Sequence, residues 1–201
     1  MYSTLLTDTR LYALLKKCDE DLATTVREAG CQCCGGVLHS ARYRRKPRGV
    51  PPRPGRQEHW RASFCCARDL CRKRITPASL RFLGRRVYLA TAVVLASVMR
   101  GGATPVRMRR LEELIGVSRR TVQRWQRWWR CTLPDSPFWR SATGTLREPV
   151  VRADLPRSLW ERFGGDAVQR LRALLCFLGP LTGGTRGLLD PASSTLADEP
   201  R

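Results

Sequence analysis

Two tight cysteine clusters about thirty residues apart constrain this chain more than any other feature. The first is Cys31-Gln32-Cys33-Cys34-Gly35-Gly36, and the second is Phe64-Cys65-Cys66-Ala67-Arg68-Asp69-Leu70-Cys71. Cys31 and Cys34 form a C-x2-C pair followed by glycine. This is the knuckle in which two thiolates grip one ion while glycines let backbone amides turn toward the sulfurs. In the second cluster Cys71 pairs with Cys66 or Cys65, a looser spacing. Enough chain lies between the clusters for a hairpin arm, so four sulfurs can surround one ion, an arrangement that suits zinc. In Trp60-Arg61-Ala62-Ser63-Phe64-Cys65-Cys66, strand alternation puts Cys66 on the face of Phe64 and Cys65 on the other. Cys66 is favoured, because the core-facing sulfur is screened from water. The expected ligands are Cys31, Cys34, Cys66 and Cys71. Cys33 is expected to be a bystander, and His39 and His59, which lack knuckle spacing, to be ordinary surface residues. The bland alternative is four free thiols packed as small hydrophobes.

Nine cysteines also invite a secreted disulfide framework. The odd count and the clustering argue instead for metal in a reducing compartment. Met1 to Leu15 has no basic segment before an apolar run, since Asp8 and Arg10 interrupt it, so a secretory signal is not expected. The apolar run Val87 to Met99 is 13 residues long, too short to span a bilayer and suited to a buried helix. The expectation is a soluble, cytoplasmic chain with no membrane partner. Hydrolytic zinc sites set their ligands beside a glutamate base, as in His-Glu-x-x-His. Glu58 precedes His59, but no further ligand lies nearby, so a closed, structural zinc site and no catalytic residues are expected.

Charge is unevenly spread. Residues 31–130 hold 24 basic and 4 acidic side chains, a net +20, which equals the net charge of the whole chain. The flanking segments are nearly balanced. Arginine bias explains why only 4 of the 37 basic residues are lysine; it does not explain an acid-poor middle between balanced ends. Such a segregated field attracts a polyanion and releases its counterions.

The fold expected is mainly α with a small β zinc ribbon. Residues 1–30 form an N-terminal helix, with Leu11, Leu14, Leu15, Cys18, Leu22 and Val26 as its stripe over 9–29 and Gly30 as its stop. Residues 31–76 form the ribbon, with the Pro/Arg segment Lys46–Arg56 as an exposed loop or hairpin arm. Residues 77–133 form a helix-turn-helix domain, opening at Pro77 with a long apolar helix that runs to about residue 100. Residues 134–182 form a C-terminal helical region, split near Gly164-Gly165. Residues 183–201 lack periodicity and are expected to be disordered.

Within 77–133, Leu111, Leu114 and Ile115 give one helix a buried face. Gly116 allows a tight turn, Val117 plugs the angle, and Ser118 is expected to cap the next helix through its side chain. Val122, Trp125 and Trp129 continue the inward stripe, with Trp128 off it. Arg119, Arg120, Gln123, Arg124 and Arg127 then face outward. Arginine and glutamine on such a face are the residue types that read guanine and adenine edges in the major groove. Arg44, Arg45, Lys46 and Arg48 in the ribbon arm are expected to touch phosphates.

The order Cys-x2-Cys-Gly-Gly, then Cys71-Arg-Lys-Arg-Ile-Thr-Pro77, then Gly116-Val-Ser-Arg-Arg-Thr-Val-Gln-Arg-Trp125 resembles the N-terminal recognition region of bacterial insertion-sequence transposases. It also resembles short orphan proteins of mobile elements that keep this region without a nuclease. The resemblance covers roughly residues 30–133 and implies binding to element ends or another duplex DNA site in the nucleoid. A transposase nuclease needs three separated carboxylates on a domain of well over a hundred residues, whereas about seventy remain here. Asp154, Glu161 and Asp166 are therefore expected to be surface charges. The function expected is non-enzymatic DNA recognition, alone, by self-association or beside a nuclease-bearing transposase. The alternatives are a transcription regulator and a basic zinc-ribbon component of a ribonucleoprotein.

Overall fold

The computed structural model describes residues 2–45, 59–83, 94, 104–144, 146 and 148–183. The chain opens with a short helix, α1 (Tyr2–Thr7), and a long one, α2 (Thr9–Ala29). Asp8 caps α2 by accepting from the Arg10 and Leu11 amides. Gly30 ends it at φ 75°, a conformation that disfavours other residues. The inward residues Leu11, Leu15 and Val26 are buried as the sequence stripe predicts, and so, unexpectedly, is Asp19.

A three-stranded antiparallel sheet follows, in the order β1-β2-β3: β1 (Leu38–Arg45), β2 (His59–Cys66) and β3 (Arg74–Ile75). Leu38 faces Cys66 and Arg44 faces Trp60 across the long hairpin, and Phe64 faces Ile75 on the other side. Leu38, Phe64, Cys66 and Ile75 turn inward with Val26 of α2 and Cys31 to form a small core. The arm 46–58, including Lys46 and Arg48, lies outside the described residues.

Residues 77–83 are not helical, contrary to the expectation of a helix beginning at Pro77. Asp19 accounts for the difference. Its carboxylate accepts from the Ser79 hydroxyl at 2.6 Å, the Leu80 amide at 2.7 Å and the Arg81 guanidinium at 2.8 Å. With those groups satisfied by α2, the segment gains little from coiling. Of the apolar run 87–99 only Val94 is described, and it is helical and fully buried.

The remaining helices are α3 (Pro105–Ile115), α4 (Arg119–Arg127), α5 (Pro137–Thr143), α6 (Arg157–Trp160) and α7 (Ala167–Phe177). α4 runs on into a π-helical turn, Trp128–Thr132. Asp166 starts α7 with a reciprocal cap: its side chain accepts from the Val168 and Gln169 amides while the Gln169 side chain accepts from the Asp166 amide. Buried residues from α1, α2, α3, α4, α5, α6 and α7 join one core with Leu80, Phe82 and Val94. Trp129, at 0% exposure, is the largest side chain fully enclosed in it. The tail 184–201 lies outside the described residues. Among the described residues, no helix is long and apolar enough to cross a membrane.

Candidate functional site: a four-thiol centre and a basic helix face

The turn after Gly30 sets the first pair of sulfurs. The Cys34 and Gly35 amides donate to the Cys31 carbonyl at 3.3 and 2.7 Å, and the Cys31 amide donates to the Gly36 carbonyl at 2.9 Å. Gly35 has φ 67°, the left-handed geometry that closes the knuckle. The second pair comes from the end of β2 and the turn beyond it. There the Cys71 and Arg72 amides donate to the Arg68 carbonyl at 3.0 and 2.9 Å. Arg72 itself takes a left-handed φ of 42°. The turns are joined where the Ala67 amide donates to the Val37 carbonyl at 2.9 Å.

The ligand atoms of Cys31, Cys34, Cys66 and Cys71 all lie within 4.8 Å of one another. Cys31 and Cys71 sulfurs are 3.7 Å apart, and those of Cys34 and Cys66 are 3.5 Å apart. A tetrahedron of sulfurs bound to one ion at ~2.3 Å has edges of ~3.8 Å. The four sulfurs therefore fit a single metal ion. Cys66 is in the set and Cys65 is not: the Cys65 sulfur lies 3.5 Å from the Arg72 carbonyl, on the other side of the strand. Cys33 is exposed.

The cluster is electrostatically divided. The Cys33 amide leads in pulling the Cys31 thiol down to about 6, helped by the Cys34 amide and the neighbouring thiols against the effect of burial. At Cys66 the Arg68 amide pulls down, but burial and the thiols of Cys34, Cys31 and Cys71 prevail and push it up to about 12. Four sulfurs this close resist ionising together unless a cation stands between them.

His39 is exposed, as expected. His59 is not an ordinary surface residue: it is half-buried and meets Phe82 edge-on at 6.3 Å. Burial, then Arg81, lowers its imidazole below the usual value of 6.5. Sequence pattern alone missed this, because Phe82 is far along the chain.

The second feature is the pair α3 and α4. Gly116 joins them in the left-handed conformation, φ 62° and ψ 34°, its amide donating to Glu112 at 2.8 Å. Val117 is fully buried in the angle. Ser118 does not cap through its side chain. Its backbone carbonyl accepts from the Thr121 and Val122 amides, and its hydroxyl sits 3.2 Å from that of Thr121. Thr121, Val122 and Trp125 are buried. Arg119, Arg120, Gln123, Arg124 and Arg127 are all exposed, and Arg130 extends their face into the π-helical turn. Trp128 is half-buried and packs edge-on against Trp129 at 4.9 Å. In the ribbon, Arg44 is exposed and lies over the Trp60 ring at 5.0 Å, while Arg45 lies over Phe82 at 5.9 Å. Asp154, Glu161 and Asp166 are exposed and dispersed, with Glu161 paired to Arg157 at 2.8 Å and Asp166 serving as the cap of α7.

No known protein family, curated protein or solved structure matches this chain.

Proposed function

We propose that the chain is a non-enzymatic DNA-binding protein in which a structural zinc ion holds the ribbon and the outward face of α4 reads duplex DNA. The division of α4 carries this proposal. One side is locked into the core through Val122 and Trp125, and the other presents Arg119, Arg120, Gln123, Arg124 and Arg127. None of these four arginines pairs with a carboxylate among the described residues. Their forks are open to guanine edges or phosphates, and Gln123 is open to adenine. The left-handed turn at Gly116 and the buried Val117 support a helix-turn-helix, in which the second helix enters the major groove. The net +20 of residues 31–130 supplies attraction that does not depend on sequence. Zinc is the proposed ion because four thiolates in a closed tetrahedron form its common structural site. The motif order supports a mobile-element recognition or accessory protein of the nucleoid, acting alone or beside a nuclease-bearing transposase.

Binding-site selection from a random duplex pool tests the proposal. Arg120→Ala or Arg124→Ala should cost about 1–3 kcal/mol on the selected site and much less on scrambled DNA. Lys46→Ala or Arg48→Ala should weaken both DNAs alike, since phosphate contacts carry no direct sequence information. Equal losses on both DNAs for the α4 variants would leave a basic protein without sequence preference. Structured RNA competing better than the selected duplex would favour a ribonucleoprotein role.

A further inference from the structure

α2 packs against the inward face of the sheet and borders a cleft beside it. Near Cys66 the two pack closely through Val26, Leu38 and Phe64. Beside that contact, α2, the sheet and the segment from Pro77 to Arg81 line a cleft of about 410 Å³. That volume lies toward the small end of the range for small-molecule sites. Lys16, Glu20, Ala23 and Arg27 line one wall at helical spacing. Arg42, Trp60 and Ala62 line the other, on the same sheet face.

The chemistry of these walls is specific. Trp60 is an exposed large aromatic, and the Arg44 guanidinium stacked over it adds positive charge beside the ring. Ala23 and Ala62 add a small apolar patch to each wall. The acids of the cleft are already engaged: Asp19 by Ser79, Leu80 and Arg81, and Glu20 by Lys16 at 3.7 Å. Arg27 and Arg42 are exposed at the rim and engage no carboxylate among the described residues. A flat apolar surface beside two uncommitted arginines complements a planar ring that carries an anion.

We propose that the cleft between α2 and the ribbon sheet binds an unpaired nucleotide, with its base against Trp60 and its phosphate held by Arg42 and Arg27. This rests on the nucleic-acid part of the proposed function but not on base reading by α4, which lies elsewhere in the fold. A free nucleoside phosphate and an unpaired residue of a DNA strand offer the same chemistry.

Fluorescence anisotropy of the full, metal-loaded chain with a labelled eight-thymidine single strand provides the test, with thymidine monophosphate and inorganic phosphate as competitors. The strand should bind, and the nucleotide should displace it at lower concentration than phosphate does. Trp60→Leu and Arg42→Ala should each weaken strand binding by about tenfold, the scale of one lost stacking or phosphate contact, whereas Trp60→Phe should retain most of it. Metal content and circular dichroism of the variants keep misfolding apart from loss of contact. Arg124→Ala should leave the strand affinity nearly unchanged while impairing the selected duplex. A nucleotide that binds as tightly as the strand would identify the free ligand as the occupant; a much tighter strand would identify an unpaired residue of DNA. Absence of strand and nucleotide binding would overturn the proposal, as would equal displacement by phosphate. So would a folded Trp60→Leu protein with wild-type affinity, or strand loss that follows Arg124→Ala. Failure of duplex selection by α4 would leave the cleft result standing.

Discussion

Asp19 ties α2 to the segment after the sheet through a buried network. Its carboxylate is 9% exposed and holds Arg81, itself 11% exposed, at 2.8 Å. Removing one member of a buried pair strands the other, so Asp19→Ala should destabilise the chain by about 3–5 kcal/mol in urea unfolding. Asp19→Asn should recover part of that loss by keeping one acceptor for the Leu80 amide. An effect below 1 kcal/mol, typical of surface changes, would show that the network contributes little. The sulfurs make a sharper contrast. Cys34→Ser or Cys71→Ser should abolish metal binding by elemental analysis, and Cys33→Ser should leave about one metal per chain, as expected of a four-thiolate site. The cysteine set was legible in the sequence because knuckle spacing and strand alternation are local patterns. Asp19 was not. Its position in the apolar stripe of α2 shows only beside Ser79 and Arg81, some sixty residues away.

Among the elements, the junction of α3 and α4 depends on one backbone conformation. A Cβ added at Gly116 would meet nothing within 4 Å, so only the left-handed φ of 62° resists substitution. Gly116→Ala should therefore cost about 1–2 kcal/mol without altering the packing around it. At α7, Asp166→Ala should cost about 1 kcal/mol by leaving the Val168 and Gln169 amides uncapped. Thermal or urea unfolding measures both; a neutral Gly116→Ala would mean that the turn tolerates another geometry. The helix over 9–29 and the pair around Gly116 could be read from periodicity and stop residues, since both lie within a few turns of chain. The extended course of 77–83 could not. Pro77 is a common first residue of a helix, and the partner that draws this segment away from coiling is on α2. The side-chain cap expected of Ser118 failed for a smaller reason: its hydroxyl turns toward Thr121 and leaves the amides to the Ser118 carbonyl.

At the scale of the molecule, two cores of unequal strength share one chain. The ribbon core rests on Val26, Cys31, Leu38, Phe64, Cys66 and Ile75, a small apolar cluster that a metal ion held by the four thiols would reinforce. The helical core is much larger. Chelation should therefore release amide protection in β1, β2 and β3 while protection in α3, α4 and α7 persists. Hydrogen exchange would show this, and simultaneous loss everywhere would mean that the two cores unfold as one. Binding to duplex DNA should weaken steeply with salt, roughly in proportion to the phosphates contacted; a flat salt dependence would exclude the basic middle of the chain as the binding surface.

α2 belongs to both cores, through Leu11 and Leu15 near its start and Val26 near its end. A helix advances ~1.5 Å and turns ~100° per residue, so Leu15 and Val26 stand ~16 Å apart in a fixed rotational phase. α2 thus acts as a gauge between the ribbon core and the helical core that carries α4. Under the proposed function, a DNA site that engages the ribbon and α4 together would repeat one separation, and a single residue inserted between Leu15 and Val26 should put the two contacts out of phase.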